Sequence, residues 1–143
     1  PCDVNALATA ALYHDASEIL TGDLPTPIKY HNAEIMSAYH AVEDLAVQKL
    51  LGMLPPELRE TYADVLAEDK DGDIYPLVKA ADKLSAYIKC IEERKAGNNE
   101  FLSAEAQTRA ALEASPLPEV QYFLEHFIPA FERDLDELGA IGQ

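Results

Sequence analysis

Basic residues are scarce in this chain: 11 Lys and Arg stand against 26 Asp and Glu, for a formal net charge of -15. Such a surface repels a polyphosphate backbone, which argues against a nucleic-acid polymer as partner. A small phosphate ester is not excluded, because a bound divalent cation can dominate the local field of an acidic protein. Cysteine is nearly absent. Cys2 and Cys90 are too few and too far apart for a disulfide framework, a zinc ribbon or a redox pair, so a reducing cytoplasm is the expected compartment. No apolar run approaches the roughly 20 residues that span a bilayer, and no basic-then-apolar leader opens the chain. The expectation is an unsecreted protein that makes no use of a membrane. Strand-like alternation persists nowhere, and no internal repeat is visible.

What is present fits a globular chain. Its 143 residues are 48% hydrophobic and 26% charged, near the globular average, and the length suits one domain with one apolar core. A single domain over residues 1–143 is therefore expected. The chain opens on Pro1, and an apolar helical pattern begins almost at once at Val4. That reads as a chain cut inside its domain, incomplete at the N-terminus.

Helical spacing of Leu7, Ala8, Ala11 and Leu12 predicts a first helix from about Val4 to Leu20, with Gly22 as its stop. The two prolines of Asp23-Leu24-Pro25-Thr26-Pro27 then predict a defined, extended loop. A second helix is expected from Ala33 to Leu51, with Ile35, Tyr39, Val42, Leu45 and Ala46 as its apolar stripe. A shorter helix over Glu57 to Leu66 leads into the polar connection Glu68-Asp69-Lys70-Asp71-Gly72-Asp73. The helix from Tyr75 to Ala96 carries Leu77, Ala81, Leu84, Tyr87, Ile88 and Ile91 on one face. Asp82 falls on a flank shared with Val78, Ser85 and Ala86, where a carboxylate would be enclosed. A helix from Phe101 to Ala114 follows, and a last one carries Val120, Phe123, Phe127, Phe131, Leu135 and Leu138, kinked at Pro129. Five or six helices and no sheet imply an all-α globular bundle.

Chemistry concentrates in Tyr13-His14-Asp15-Ala16-Ser17-Glu18-Ile19-Leu20-Thr21-Gly22-Asp23. An imidazole and a carboxylate are adjacent, and on a regular helix Glu18 would project from nearly the same face as His14, one turn later. His14 and Asp15 can bind one cation together. Nitrogen plus oxygen ligation suits a borderline divalent metal such as Mn, Co, Fe or Zn, with positions left for water and substrate.

The pair His14-Asp15 within an apolar helix, followed far downstream by Asp82 in Lys79-Ala80-Ala81-Asp82-Lys83-Leu84, resembles the HD-domain phosphohydrolase superfamily. The string from His14 to Asp23 is similar to that of its bacterial 5′-deoxynucleotidase branch, and the similarity extends through Leu24-Pro25-Thr26-Pro27, Tyr87-Ile88-Lys89-Cys90 and Gly97-Asn98-Asn99-Glu100-Phe101. The resemblance implies a helical bundle of the HD-domain type. It implies that His14, Asp15 and Asp82 are metal ligands and that Glu18 activates, or relays a proton to, the attacking water. Asp23 would sit beside the phosphate, positioning water or protonating the leaving oxygen. The implied reaction is removal of the 5′-phosphate from a deoxyribonucleoside monophosphate, and the implied assembly is a homodimer. A further His ligand belongs upstream of the pair in this family; His31, His40 and His126 all follow it, and none matches.

Plainer readings stand beside these. A His-Asp dipeptide on a helix is common, Glu18 can be an exposed helix carboxylate, and Asp23 can be a turn residue. Asp82 alone would be taken as a surface partner of Lys79 or Lys83. The acidic stretch at Asp69 invites a calcium-loop reading, but Gly72 falls fourth where that loop needs it sixth, and Ala80 stands where it needs Glu. The competing functions are an HD hydrolase of another nucleotide phosphate ester and a helical binding module without turnover.

Overall fold

The computed structural model describes residues 2–29, 31–67 and 72–139, and every regular element among them is helical. The all-α expectation is met. The chain divides into two compact units, Pro1–Tyr75 and Pro76–Gln143.

The first unit contains α1 (Val4–Tyr13), α2 (Glu18–Thr21), α3 (Thr26–Lys29), α4 (Ala33–Met53) and α5 (Pro56–Leu66). Asp3 caps α1 by accepting from the amides of Asn5 and Ala6, and Asn32 caps α4 by accepting from that of Ile35. These oxygens satisfy donors that have no partner within the helix. Pro56 opens α5, where its missing N–H costs nothing. α4 is the platform of the unit: α2, α3 and α5 all pack on it, and α1 packs on α5. The Tyr13 ring meets the Tyr62 ring edge-on at 6.1 Å, fixing the end of α1 that leads into the His-Asp pair.

The second unit is built on α6 (Tyr75–Lys95), with α7 (Leu102–Glu113), α8 (Pro118–His126), α9 (Ile128–Phe131) and α10 (Leu135–Gly139). Leu84, Tyr87 and Ile91 of α6 bury themselves against Leu112, Val120 and Ile128. Gly97, at φ 86, ends α6; the Asn98 amide reaches back to the Glu93 carbonyl at 2.9 Å, which closes the helix end as glycine at this position permits. Arg94 ties the unit together by donating to Glu105 from Nε and to Glu132 from a terminal nitrogen. The Gln121 side-chain amide donates to the carbonyls of Leu112, Glu113 and Ser115, tying α8 to the end of α7 and the turn that follows it.

The structure departs from the sequence expectations in several places. The first helix stops at Tyr13 and resumes at Glu18, with turns between. The loop after Gly22 is not extended throughout, because Thr26–Lys29 turn into α3 as the Pro25 carbonyl accepts from the Ile28 and Lys29 amides. Pro27 is tolerated there because first-turn amides need no helical acceptor. In α4, Val42 and Leu45 are exposed and Ala46 is the buried member of the stripe. Leu12 of α1 and Ala81 of α6 are exposed as well. The flank of α6 carrying Asp82, Ser85 and Ala86 faces solvent, so the expected enclosure of Asp82 is not found; apolar burial in this helix gathers on Val78, Leu84, Tyr87 and Ile91 instead. The last helix is broken rather than kinked. Pro129 removes a donor and crowds the preceding turn, leaving α8 and α9 separate, with Phe127 at the break half exposed and stacked on Phe123 at 5.1 Å. The connection at 68–71 and the side chains of Leu135 and Leu138 lie outside the described residues.

Candidate metal centre and its acidic surround

His14 sits where α1 ends, and Asp15 follows in the turn. His14 Nδ1 lies 2.8 Å from the Ala11 carbonyl oxygen, one turn back. A carbonyl can only accept, so Nδ1 donates, and the ring presents its lone pair at Nε2. That is the arrangement by which a backbone acceptor fixes the tautomer of a metal-ligating histidine. Nε2 is buried and lies 2.9 Å from Asp15 Oδ2. An imidazole nitrogen and a carboxylate oxygen this close form a donor pair suited to a borderline divalent cation. The residues present therefore fit the metal that the sequence pattern implies.

Between the pair and Glu18 the backbone tightens. The Ala16 amide bonds the Tyr13 carbonyl, the Glu18 amide bonds the Asp15 carbonyl, and the Ile19 amide bonds the Ala16 carbonyl, each spanning three residues. In such a repeat, side chains three apart eclipse. Glu18 therefore shares its side of the segment with Asp15 more nearly than with His14, which corrects the expectation from a regular helix. Ser17, between them, is buried.

Burial first, and then the negative charges of Asp15 and Asp23, raise the Glu18 carboxyl above its ordinary value, against a smaller opposing pull from Lys29. A carboxyl so placed holds a proton more readily than a solvated one. Asp23 is exposed and follows Gly22 in the α2–α3 connection. The first unit thus gathers His14, Asp15, Glu18 and Asp23 around α2. Asp82 stands in the second unit, on the exposed flank of α6.

Three residues unmarked by the sequence motif adjoin this segment. Lys29 of α3 forms an ion pair with Glu43 of α4 at 2.9 Å and lies over the Tyr39 ring at 4.7 Å, while Tyr39 donates its hydroxyl to the Gly22 carbonyl at 2.9 Å. Tyr39 and Glu43 are four apart on α4, and that spacing is the signal by which the sequence could have exposed them as one face. His40 belongs to the same patch, with Nδ1 at 2.8 Å from Glu43 Oε2.

Comparison with known proteins defines the class. A crystal structure of an HD-domain phosphohydrolase from Listeria innocua is similar, with a TM-score of 0.75 and 27% identity over 92% of this chain and 64% of that one. A model of the 5′-deoxynucleotidase YfbR-like family matches residues 1–131. Relatives described as 5′-deoxynucleotidase YfbR, from Shigella flexneri and Escherichia coli, are each 52% identical over 140 residues, covering 96% of this chain and 70% of theirs. The chain belongs to the YfbR-like 5′-deoxynucleotidase family, and with it to the HD-domain phosphohydrolases, which are metal-dependent hydrolases.

Proposed function

We propose that this protein hydrolyses the 5′-phosphate of deoxyribonucleoside monophosphates, using a divalent metal held by His14, Asp15 and Asp82. The observation that carries the reading is the His14–Asp15 donor pair, Nε2 to Oδ2 at 2.9 Å, in a chain 52% identical to relatives described as 5′-deoxynucleotidases. Asp82 enters on its motif, and the family match over residues 1–131 runs through both units, which supports treating them as one HD domain.

When bound, the metal would neutralise phosphate charge and acidify water, and Co, Mn, Fe and Zn all suit these ligands. The chain's own groups do the rest. His14 keeps its proton on Nδ1 against the Ala11 carbonyl, which reserves Nε2 for ligation. Glu18 takes a proton from the attacking water; its raised proton affinity, caused by burial and then by Asp15 and Asp23, suits that task. The water oxygen bonds to phosphorus as the bond from phosphorus to the 5′ oxygen breaks. Asp23 stands beside the phosphate, positioning water or delivering a proton to the departing oxygen. The products are inorganic phosphate and the deoxynucleoside.

No helix among the described residues is long and apolar enough to cross a membrane, and both cysteines are free. The free cysteines support a reducing, cytoplasmic setting, and the family resemblance supports a homodimer, for which sedimentation giving twice the protomer mass is the check.

The test of the function is phosphate release from deoxynucleoside monophosphates by the full-length protein with added Co or Mn. Silence across several metals and nucleotides rejects it. Faster hydrolysis of cyclic nucleotides or nucleoside triphosphates moves the substrate to another phosphate ester. Glu18→Ala should abolish turnover and leave metal binding intact.

A further inference from the structure

The Gly22 carbonyl accepts two hydrogen bonds at once: from the Tyr39 hydroxyl at 2.9 Å and from the Thr21 hydroxyl at 2.9 Å. Gly22 itself has φ 73 and ψ 161, a region open essentially to glycine alone. A glycine there has many other conformations available, so something must select this one. The carbonyl of Gly22 and the amide of Asp23 belong to one planar peptide unit. Holding the carbonyl therefore fixes the direction in which the Asp23 backbone departs.

α4 supplies the hold. Tyr39 and Glu43 project from consecutive turns, and Lys29 bridges them, pairing with Glu43 at 2.9 Å and lying over the Tyr39 ring at 4.7 Å. The Lys29 and Glu43 side chains are each only 19% exposed, so water screens this pair less than a surface one. Glu43 also meets His40 through its second oxygen at 2.8 Å. The ring that carries the hydroxyl is thus kept in place from one face by a cation that is itself anchored. On either side of Asp23, the connection is gripped by α4: through Gly22 before it and through Lys29 after it.

We propose that Tyr39 and the Lys29–Glu43 pair are positioning residues that hold the Gly22–Asp23 peptide, and through it the Asp23 carboxylate, in its working orientation. The inference rests on the role given to Asp23 above.

A double-mutant cycle on the full-length protein tests it, with a deoxyribonucleoside monophosphate as substrate. Tyr39→Phe keeps the ring and removes the hydroxyl. It should lower kcat about tenfold, the order expected for one lost hydrogen bond, with KM, metal content and melting temperature little changed. In an Asp23→Ala background the same change should lower kcat no further, because the group through which Tyr39 acts is gone. Tyr122→Phe, at an exposed tyrosine of α8, is the control that should leave kcat unchanged. A wild-type kcat for Tyr39→Phe while Asp23→Ala is slow overturns the positioning role alone, as does an equal loss in both backgrounds. A wild-type rate for Asp23→Ala overturns the assignment of Asp23 and this inference with it. Should Tyr39→Phe not fold, Glu43→Gln run through the same cycle decides the matter by the same outcomes.

Discussion

His14 Nε2 and Asp15 Oδ2 meet at 2.9 Å, although consecutive residues on a helix point about 100° apart. The two side chains turn toward each other where α1 gives way to the tightened segment, and the other ring nitrogen is occupied by the Ala11 carbonyl. Asp15→Asn keeps the shape of the pair and removes the anionic oxygen. Losing an outer partner of a metal ligand costs about 10- to 100-fold in affinity, and losing a ligand should cost more. Mn or Co titration of Asp15→Asn should therefore show at least about 100-fold weaker binding; binding within a few-fold of the parent removes Asp15 from the ligand set.

Glu18 should work against stability. Burial, then Asp15 and Asp23, raise its folded pKa above the ordinary 4.5, so its favourable contribution exists below that value and is lost as pH rises through the folded value. In metal-free protein at about pH 7, Glu18→Gln should melt higher than the parent, with the gap closing toward about pH 4. Turnover should vanish in the same variant, an exchange of stability for function at one residue. Thermal melts in chelator that show no gap at neutral pH would contradict this.

Glu43 should behave in the opposite sense. Burial pushes its carboxyl up, but hydrogen bonds from Lys29 and His40 outweigh that and bring it below 4.5. Its contribution is complete above the unfolded value and is lost as pH falls through the folded one. Glu43→Gln should therefore melt lower than the parent near neutral pH, and the two should converge as acid protonates Glu43 in the parent. The pair of glutamates, Glu18 and Glu43, then gives melting differences of opposite sign in one pH series.

Gly22→Ala isolates backbone geometry from packing. A methyl group there meets nothing within 4 Å, so crowding is not the cost; the φ of 73 is. The change should destabilise the protein by about 1–3 kcal/mol in urea unfolding, or shift the connection and slow turnover. Parent-like stability and rate together would show that this conformation is not required.

Much of this was legible in the sequence. The termini of α4, α5, α6 and α7 fall within a residue or two of where periodicity, proline and glycine set them, because capping and φ restriction are local. The His14-Asp15 pair and the carboxylates Glu18 and Asp23 were visible as chemistry from their types and spacing. The break of α1 before the motif was not, since the apolar pattern runs on through Ile19 and Leu20 and nothing local forbids a helix there. The exposure of Asp82 was missed for a related reason: periodicity names a face of α6 but not what covers it.

The sequence by itself determined the helical class, the residues able to hold a metal and the family, because those depend on residue type and short spacing. Tertiary structure decided that Val42 and Leu45 stay exposed, and that Tyr39, Lys29 and Glu43 grip the connection bearing Asp23. Those outcomes depend on which helices pack on α4. A hydrogen bond from Tyr39 to Gly22 spans seventeen positions, and no local propensity encodes a contact between groups that only packing brings within 2.9 Å.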